Sequence, residues 1–75
     1  MPSNSELLLA FGARVRQART AAGLSQEALA HHAGLHRTYV SSVERGERNI
    51  ALINIVVLAE ALNIDAGELV GRLRN

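Results

Sequence analysis

Apolar residues recur along this chain at spacings of three and four, and glycine or asparagine interrupts them at short intervals. That pattern predicts a string of short helices. Ser3 and Glu6 have the Ser-x-x-Glu spacing of a capping box, so the first helix is expected to begin near Asn4. Leu8, Phe11, Val15 and Ala18 form its buried stripe, and Gly23 can take the left-handed conformation that ends it. Ser25 is placed to cap a second helix, with Glu27 in the first turn, where the helix dipole favours an acid. Ala28, Leu29 and Ala33 face inward from it. After Gly34 only Leu35 is apolar until Val40 and Val43, which mark a third helix from about Arg37 to Arg45, stopped by Gly46. A fourth helix covers about Leu52 to Leu62 and ends at Asn63. Asp65 and Glu68 repeat the capping-box spacing and open a fifth, which includes Leu69, Val70 and Leu73. No segment alternates with period two, so the expected class is all-α.

Composition changes this picture in one respect. A chain of 75 residues makes a single domain, 1–75, near the lower limit for a self-supporting core, since a chain this small buries only about 60% of its unfolded surface. There is no cysteine, hence no disulfide or thiolate metal site to compensate. Oligomerisation is therefore a reasonable expectation. The apolar run Leu7 to Phe11 is too short for a signal-peptide core and has no basic residue before it. No stretch approaches the roughly 20 apolar residues that cross a bilayer. The expected setting is the cytoplasm of a bacterium, or of a cell hosting a phage, with no membrane partner.

The net charge of +1 hides an uneven distribution. Residues 1–49 carry six arginines against four glutamates, while residues 50–75 carry two arginines against three acids. Every basic residue is arginine, whose planar fork suits phosphates and guanine edges better than the point charge of lysine.

The second and third helices, short and joined through a glycine, have the pattern of a helix-turn-helix. On the third, Val40 and Val43 point one way with Tyr39 at their flank, leaving Arg37, Thr38, Ser41, Ser42 and Arg45 on the remaining face. That face is polar, small at its centre and arginine-bearing near both ends, as entry into a DNA major groove requires. A merely solvated face would look the same from this helix alone.

The run GLSQEALAHHAGLHRTYVSSVERGERN, residues 23–49, resembles the lambda-repressor-like (Cro/CI-type, XRE) helix-turn-helix family. The likeness extends from about Phe11 to Val70. It rests on the SQ opening of the second helix, the LA-x-x-x-G-L connection and the E-R-G-x-R-N tail. HRTYVSSVERGERN followed by an apolar helix is similar, more narrowly, to controller proteins of restriction–modification systems. The resemblance implies a five-helix DNA-binding domain whose second and third helices form the helix-turn-helix. It implies a sequence-specific transcriptional regulator that binds double-stranded DNA. A homodimer on a pseudo-palindromic operator is expected from the second apolar stripe of the fourth helix, and no enzymatic activity or cofactor is expected because no catalytic or metal-binding constellation is present. An autoregulating controller would both activate and repress by occupancy, with RNA polymerase as a candidate partner. Phage-type repressor and antitoxin remain as alternatives, as does a protein-interaction module that has kept the fold without binding DNA.

Residue roles follow from the resemblance. Arg37 leads the candidates for base reading, as a bidentate guanine contact. Thr38 and Ser41 are candidates for base edges or a thymine methyl, and Ser42 is a further one. Gln26, Tyr39, Arg48 and Asn49 resemble backbone-contacting positions, and Arg45 suits either role. Glu44 is expected to pair with Arg19 and staple the first helix to the third.

Other residues carry less. His31, His32 and His36 suggest metal only superficially: the first two point about 100° apart on a helix, and Gly34 interrupts the helix before His36. No cysteine and no HExxH spacing supports a site, so no metal is expected. His36 stands where the family more often has a strong N-cap, which puts the start of the third helix in doubt. Serines, histidines and carboxylates fall at caps and on the polar face, and no catalytic residue is assigned.

The fourth helix has more apolar residues than one stripe can use. Leu52, Ile55, Leu58, Ala59 and Leu62 share a side that should face the core. Ile53, Val56 and Val57 lie opposite, with only Glu60 among them. Either the fifth helix covers that surface, or it forms a two-fold dimer interface with Ile50 and Leu69 contributing.

Overall fold

The computed structural model describes residues 3–74; residues 1, 2 and 75 of the expected 1–75 domain lie outside the described part. Five helices follow in order, α1 (Asn4–Ala21), α2 (Gln26–Ala33), α3 (Arg37–Glu44), α4 (Leu52–Leu62) and α5 (Gly67–Val70), and no strand occurs among the described residues. The architecture is the all-α one expected from the periodicity.

Local chemistry accounts for most of the boundaries. Ser3 accepts from the Glu6 amide while the Glu6 carboxylate accepts from the Ser3 amide, closing the capping box of α1. Ser25 caps α2 by accepting from the Ala28 amide at 3.0 Å. Each of the four longer helices ends alike. A left-handed residue (Gly23, Gly34, Gly46 or Asn63) turns the chain, and the next amide reaches back to a carbonyl of the last turn. At the α2–α3 corner that bond runs from Leu35 N to Ala30 O at 2.9 Å. His36 caps α3 without any side-chain bond, yet the helix starts at Arg37, because Tyr39 N and Val40 N both donate to the His36 carbonyl.

A single apolar cluster holds the helices together: Phe11 and Val15 from α1, Leu29 and Ala30 from α2, Val40 and Val43 from α3, Leu58, Ala59 and Leu62 from α4, and Leu69 from α5. Helix α3 packs on α1 and α2, α4 on α2 and α1, and α5 on α1. The approach of α1 to α3 is close because Gly12 has no side chain. A Cβ there would stand 2.7 Å from the Glu44 carbonyl oxygen and closer still to that of Val43.

Three expectations about the C-terminal half need correction. Leu69 is 1% exposed and belongs to the core, not to an outer interface, because α5 lays it against α1. Leu52, expected inside, is 74% exposed: as the first residue of α4 it precedes the turns that meet α2 and α1. Helix α5 is a single turn that stops before Leu73, and Arg14 donates to the Leu69 and Gly71 carbonyls at its end. Half of its expected capping box forms, Glu68 accepting from the Asp65 amide, while Asp65 accepts from the Gly67 amide, one residue short of Glu68.

Candidate nucleic-acid interface

Helix α3 is held from one side only. Val40 and Val43 are fully buried, whereas Arg37, Thr38 and Arg45 are exposed and Ser41 half-buried. The outward surface is therefore Arg37, Thr38, Ser41 and Arg45, a strip of short polar side chains with a guanidinium at each end. Gln26 and Arg37, from the N-terminal ends of α2 and α3, line one open depression together with Arg19, Ser25 and Glu27.

Ser42 departs from the expected base-reading face. It is 6% exposed, its hydroxyl donates to the Tyr39 carbonyl at 2.8 Å and accepts from Arg48 Nε at 3.1 Å. Pointing inward, it positions Arg48 instead of meeting a ligand. Tyr39 is half-buried beside it, with the Arg48 guanidinium 5.5 Å above its ring centroid, within cation–π range. Asn54 of α4 donates to the Tyr39 hydroxyl at 3.1 Å. Asn49 is exposed in the linker after Arg48. Tyr39, Arg48 and Asn49 thus extend the polar strip of α3 along the start of the linker.

Arg45 is not a free cation. Its fork meets Glu47 through Nε and Nη2 at 3.0 and 3.1 Å, and Nη1 donates to the Ser41 hydroxyl. The hydrogen bond from Arg45 is the chief cause of a lowered Glu47 carboxyl pKa, and the same bond raises that of the Arg45 guanidinium. Both side chains are more than half exposed, so solvent weakens the pair and it can open to a competing anion.

Beneath this surface lies a buried polar knot. Glu44 accepts from Arg19 Nε at 2.6 Å and Nη2 at 3.1 Å, and from Gln26 Nε2 at 3.0 Å; Arg19 Nη1 donates to the Leu24 carbonyl at 2.9 Å. The bond to Glu44 is the leading cause of a raised Arg19 pKa. One carboxylate thereby joins the end of α1, the start of α2 and the end of α3. Gln26 is accordingly tied by its amide nitrogen, leaving its side-chain carbonyl and the backbone of the α2 N-terminus for other contacts.

His31 and His32 are exposed, with ring centroids 6.0 Å apart and edge to face. Among the described residues no three potential metal ligands gather. No described helix is long and apolar enough to cross a membrane.

On α4 the outward residues are Leu52, Ile53 and Val56, at 74%, 75% and 41% exposure. Ile50 and Val57 are half-buried at the margins of this patch. Helix α5 does not cover it.

Two short helices around a glycine turn, the second anchored by valines and clear along its polar side, define a helix-turn-helix protein. The chain belongs to the HTH_3 helix-turn-helix family, whose pattern matches residues 15–69. It is 46% identical over 70 residues to control protein C.BamHI of Bacillus amyloliquefaciens, covering 92% of this chain and 84% of that one. To control protein C.SmaI of Serratia marcescens it is 52% identical over 58 residues, 77% of this chain and 69% of that one. Its fold is similar to that of the restriction–modification controller protein C.AhdI from Aeromonas hydrophila, with a TM-score of 0.81 and 58% identity. That similarity covers 83% of this chain and 94% of the other.

Proposed function

We propose that this chain is a sequence-specific DNA-binding transcriptional regulator of the restriction–modification controller type. It binds duplex DNA as a homodimer on a pseudo-palindromic operator and controls its own promoter. The observation that carries the reading is the outward face of α3, where Arg37, Thr38 and Ser41 stand clear of a core that grips the opposite side of the helix. The likeness to C.BamHI, C.SmaI and C.AhdI supports the narrower, controller reading.

In this reading Arg37 donates two parallel hydrogen bonds to a guanine edge, while Thr38 and Ser41 meet neighbouring bases. Tyr39, Arg48, Asn49 and Gln26 hold phosphates on either side and fix the register, and Arg45 serves phosphate or base. The apolar patch of Leu52, Ile53 and Val56, flanked by Ile50 and Val57, meets its two-fold copy. That pairing sets the two recognition helices about 34 Å apart, one turn of B-DNA. Bringing two readers to one duplex raises the effective concentration of the second, which a single small domain lacks. The protein's work is occupancy, not catalysis; its place is the cytoplasm, and contact with RNA polymerase at the promoter would supply activation.

A mobility shift against the DNA just upstream of its own start codon tests the reading. Binding there at least a thousandfold tighter than to a scrambled duplex is expected for a specific regulator. Equal, weak binding to both would leave an interaction module on a helix-turn-helix scaffold as the better account. An adjacent methyltransferase and endonuclease gene pair would separate the controller reading from a phage repressor or antitoxin.

A further inference from the structure

We infer that Asn54 is a positioning residue that sets the polarity of the Tyr39 hydroxyl, so that its hydrogen is presented to a phosphate oxygen of bound DNA. The inference rests on the DNA-binding reading above and extends it to a residue on α4.

Helix α4 reads LINIVVLAEAL, apolar at every position except Asn54 and Glu60. Glu60 is exposed and needs no partner, whereas Asn54 is half-buried, in a helix where asparagine is a poorer former than leucine. Its amide makes the one side-chain hydrogen bond of α4 among the described residues, Nδ2 to the Tyr39 hydroxyl oxygen at 3.1 Å.

A phenol has one hydrogen to give. Because its oxygen receives the Asn54 N–H, that hydrogen is not spent on Asn54, and no hydrogen bond among the described residues uses it. A hydroxyl that accepts a hydrogen bond is also a somewhat stronger donor, by polarisation along the chain of bonds. Arg48 completes the arrangement. Its Nε donates to Ser42, its guanidinium carbon stands 5.5 Å from the Tyr39 ring centroid, and no hydrogen bond among the described residues uses its two terminal nitrogens. Ser42 in turn donates to the Tyr39 carbonyl, so tyrosine and arginine are held to each other. The tyrosine hydroxyl and the arginine fork are thereby two unspent donors, one neutral and one charged, held by α3, the linker and α4. Asn54 directly follows Ile53 of the exposed apolar patch, so a partner seated there bears on the same turn of helix that orients the phenol.

The test is a set of titrations with the operator duplex, using the full chain. Tyr39→Phe is expected to weaken binding about tenfold or more, the loss of one hydrogen bond to a charged acceptor. Asn54→Asp keeps the shape but turns the donor into an acceptor; it draws the phenol hydrogen inward and is expected to lose at least as much. Asn54→Leu should lose affinity in the wild-type background and none in Tyr39→Phe. Thermal midpoints of all variants are measured alongside. Tyr39 is the single tyrosine and there is no tryptophan, so intrinsic fluorescence reports the phenol alone, and a carboxylate accepting its proton quenches it. That readout needs no DNA.

If Tyr39→Phe binds as tightly as wild type, if Asn54→Leu costs the same factor in both backgrounds, or if Asn54→Asp leaves affinity and fluorescence unchanged, the inference is overturned while DNA binding stands. If the wild-type chain binds no duplex at all, the parent reading fails and takes this one with it.

Discussion

Glu44 receives both Nε and Nη2 of Arg19, at 2.6 and 3.1 Å, with its own side chain only 3% exposed. A carboxylate so enclosed is tolerable because both of its oxygens hold donors, two from Arg19 and one from Gln26. Removing it strands a guanidinium that is 12% exposed. Loss of one partner from a buried pair costs about 3–5 kcal/mol, a large share of what a domain this small possesses. Glu44→Ala is therefore expected to lose DNA binding through unfolding. A thermal melt checks this, and a wild-type midpoint would show that the knot is dispensable.

Gly12 gives a second stability prediction of a different kind. Here nothing polar is lost; instead Gly12→Ala drives a methyl into the carbonyls of Val43 and Glu44, backbone atoms that cannot rotate aside. Alanine is intrinsically the better helix residue by about 1 kcal/mol, so on an exposed helix the change would stabilise. Overpacking costs about 1–3 kcal/mol, and because α1 must move off α3 the upper end is expected to outweigh the propensity gain. A denaturant titration should show a net loss, together with weaker operator binding as the recognition helix tilts.

The helices were legible in the sequence because their ends are local. Ser3, Ser25 and the left-handed residues at 23, 34, 46 and 63 act within a few positions of themselves. What failed depended on distant partners. The stripe read on α4 held at Leu58, Ala59 and Leu62, which are buried, and failed only at Leu52, because periodicity does not tell at which turn α4 first meets α2 and α1. Leu69 reads as the outer residue of a short helix until α5 is seen docked across α1.

The candidate site divides in the same way. Arg37 and Thr38 stand exposed where the pattern of Val40 and Val43 puts them. Ser42 has the same chemistry as Ser41 and adjoins it in sequence, yet a 100° step on the helix takes it inward to Tyr39 and Arg48. Asn54 was overlooked, although a lone amide in a run of aliphatic residues is itself a signal that something polar lies opposite. Gly12 carried a comparable signal, a glycine in mid-helix with no turn to make.

Arg37 and Arg48 are expected to differ in what they lose. Arg37→Ala removes a forked donor at the exposed start of α3 and should cost about 1–3 kcal/mol on the operator, with relaxed preference among sequences. Arg48→Ala should weaken all duplexes alike and flatten the salt dependence by about one counterion. Titrations against operator and scrambled duplexes at several salt concentrations separate the two. The reverse pattern would exchange their roles.

Ile53 is the better probe of the dimer face than Val57. At 75% exposure it contributes little to the monomer core, whereas Val57 is half-buried and its replacement would confound folding with assembly. Ile53→Glu sets like charges against each other across a two-fold axis and should leave the thermal midpoint of the monomer unchanged. Sedimentation is expected to shift from dimer to monomer, with cooperative occupancy of the two half-sites lost. A wild-type chain that sediments as a monomer at high micromolar concentration would remove the interface.

The last prediction concerns Glu47, the acid beside the candidate DNA face. Its hydrogen bonds to Arg45 hold its carboxyl below the usual carboxylate range, so it is ionised throughout the neutral and mildly acidic region. With a depressed folded value, the pair is fully present above the ordinary carboxylate pKa and is lost only as pH falls through the lowered one. Between pH 6 and 8 Arg45 is therefore engaged by Glu47, and a phosphate must displace that carboxylate to recruit it. Glu47→Gln removes the competitor and an anion that the duplex repels. Binding to every duplex, specific or not, is expected to tighten, and the salt dependence to steepen by about one counterion as Arg45 joins the phosphate contacts. Because Glu47 does not titrate in this range, the gain should be the same at pH 6 and pH 8. Specificity, the ratio between operator and scrambled duplex, should stay level or fall, since the released arginine favours backbone over bases. An unchanged salt slope would mean that Arg45 never reaches the DNA.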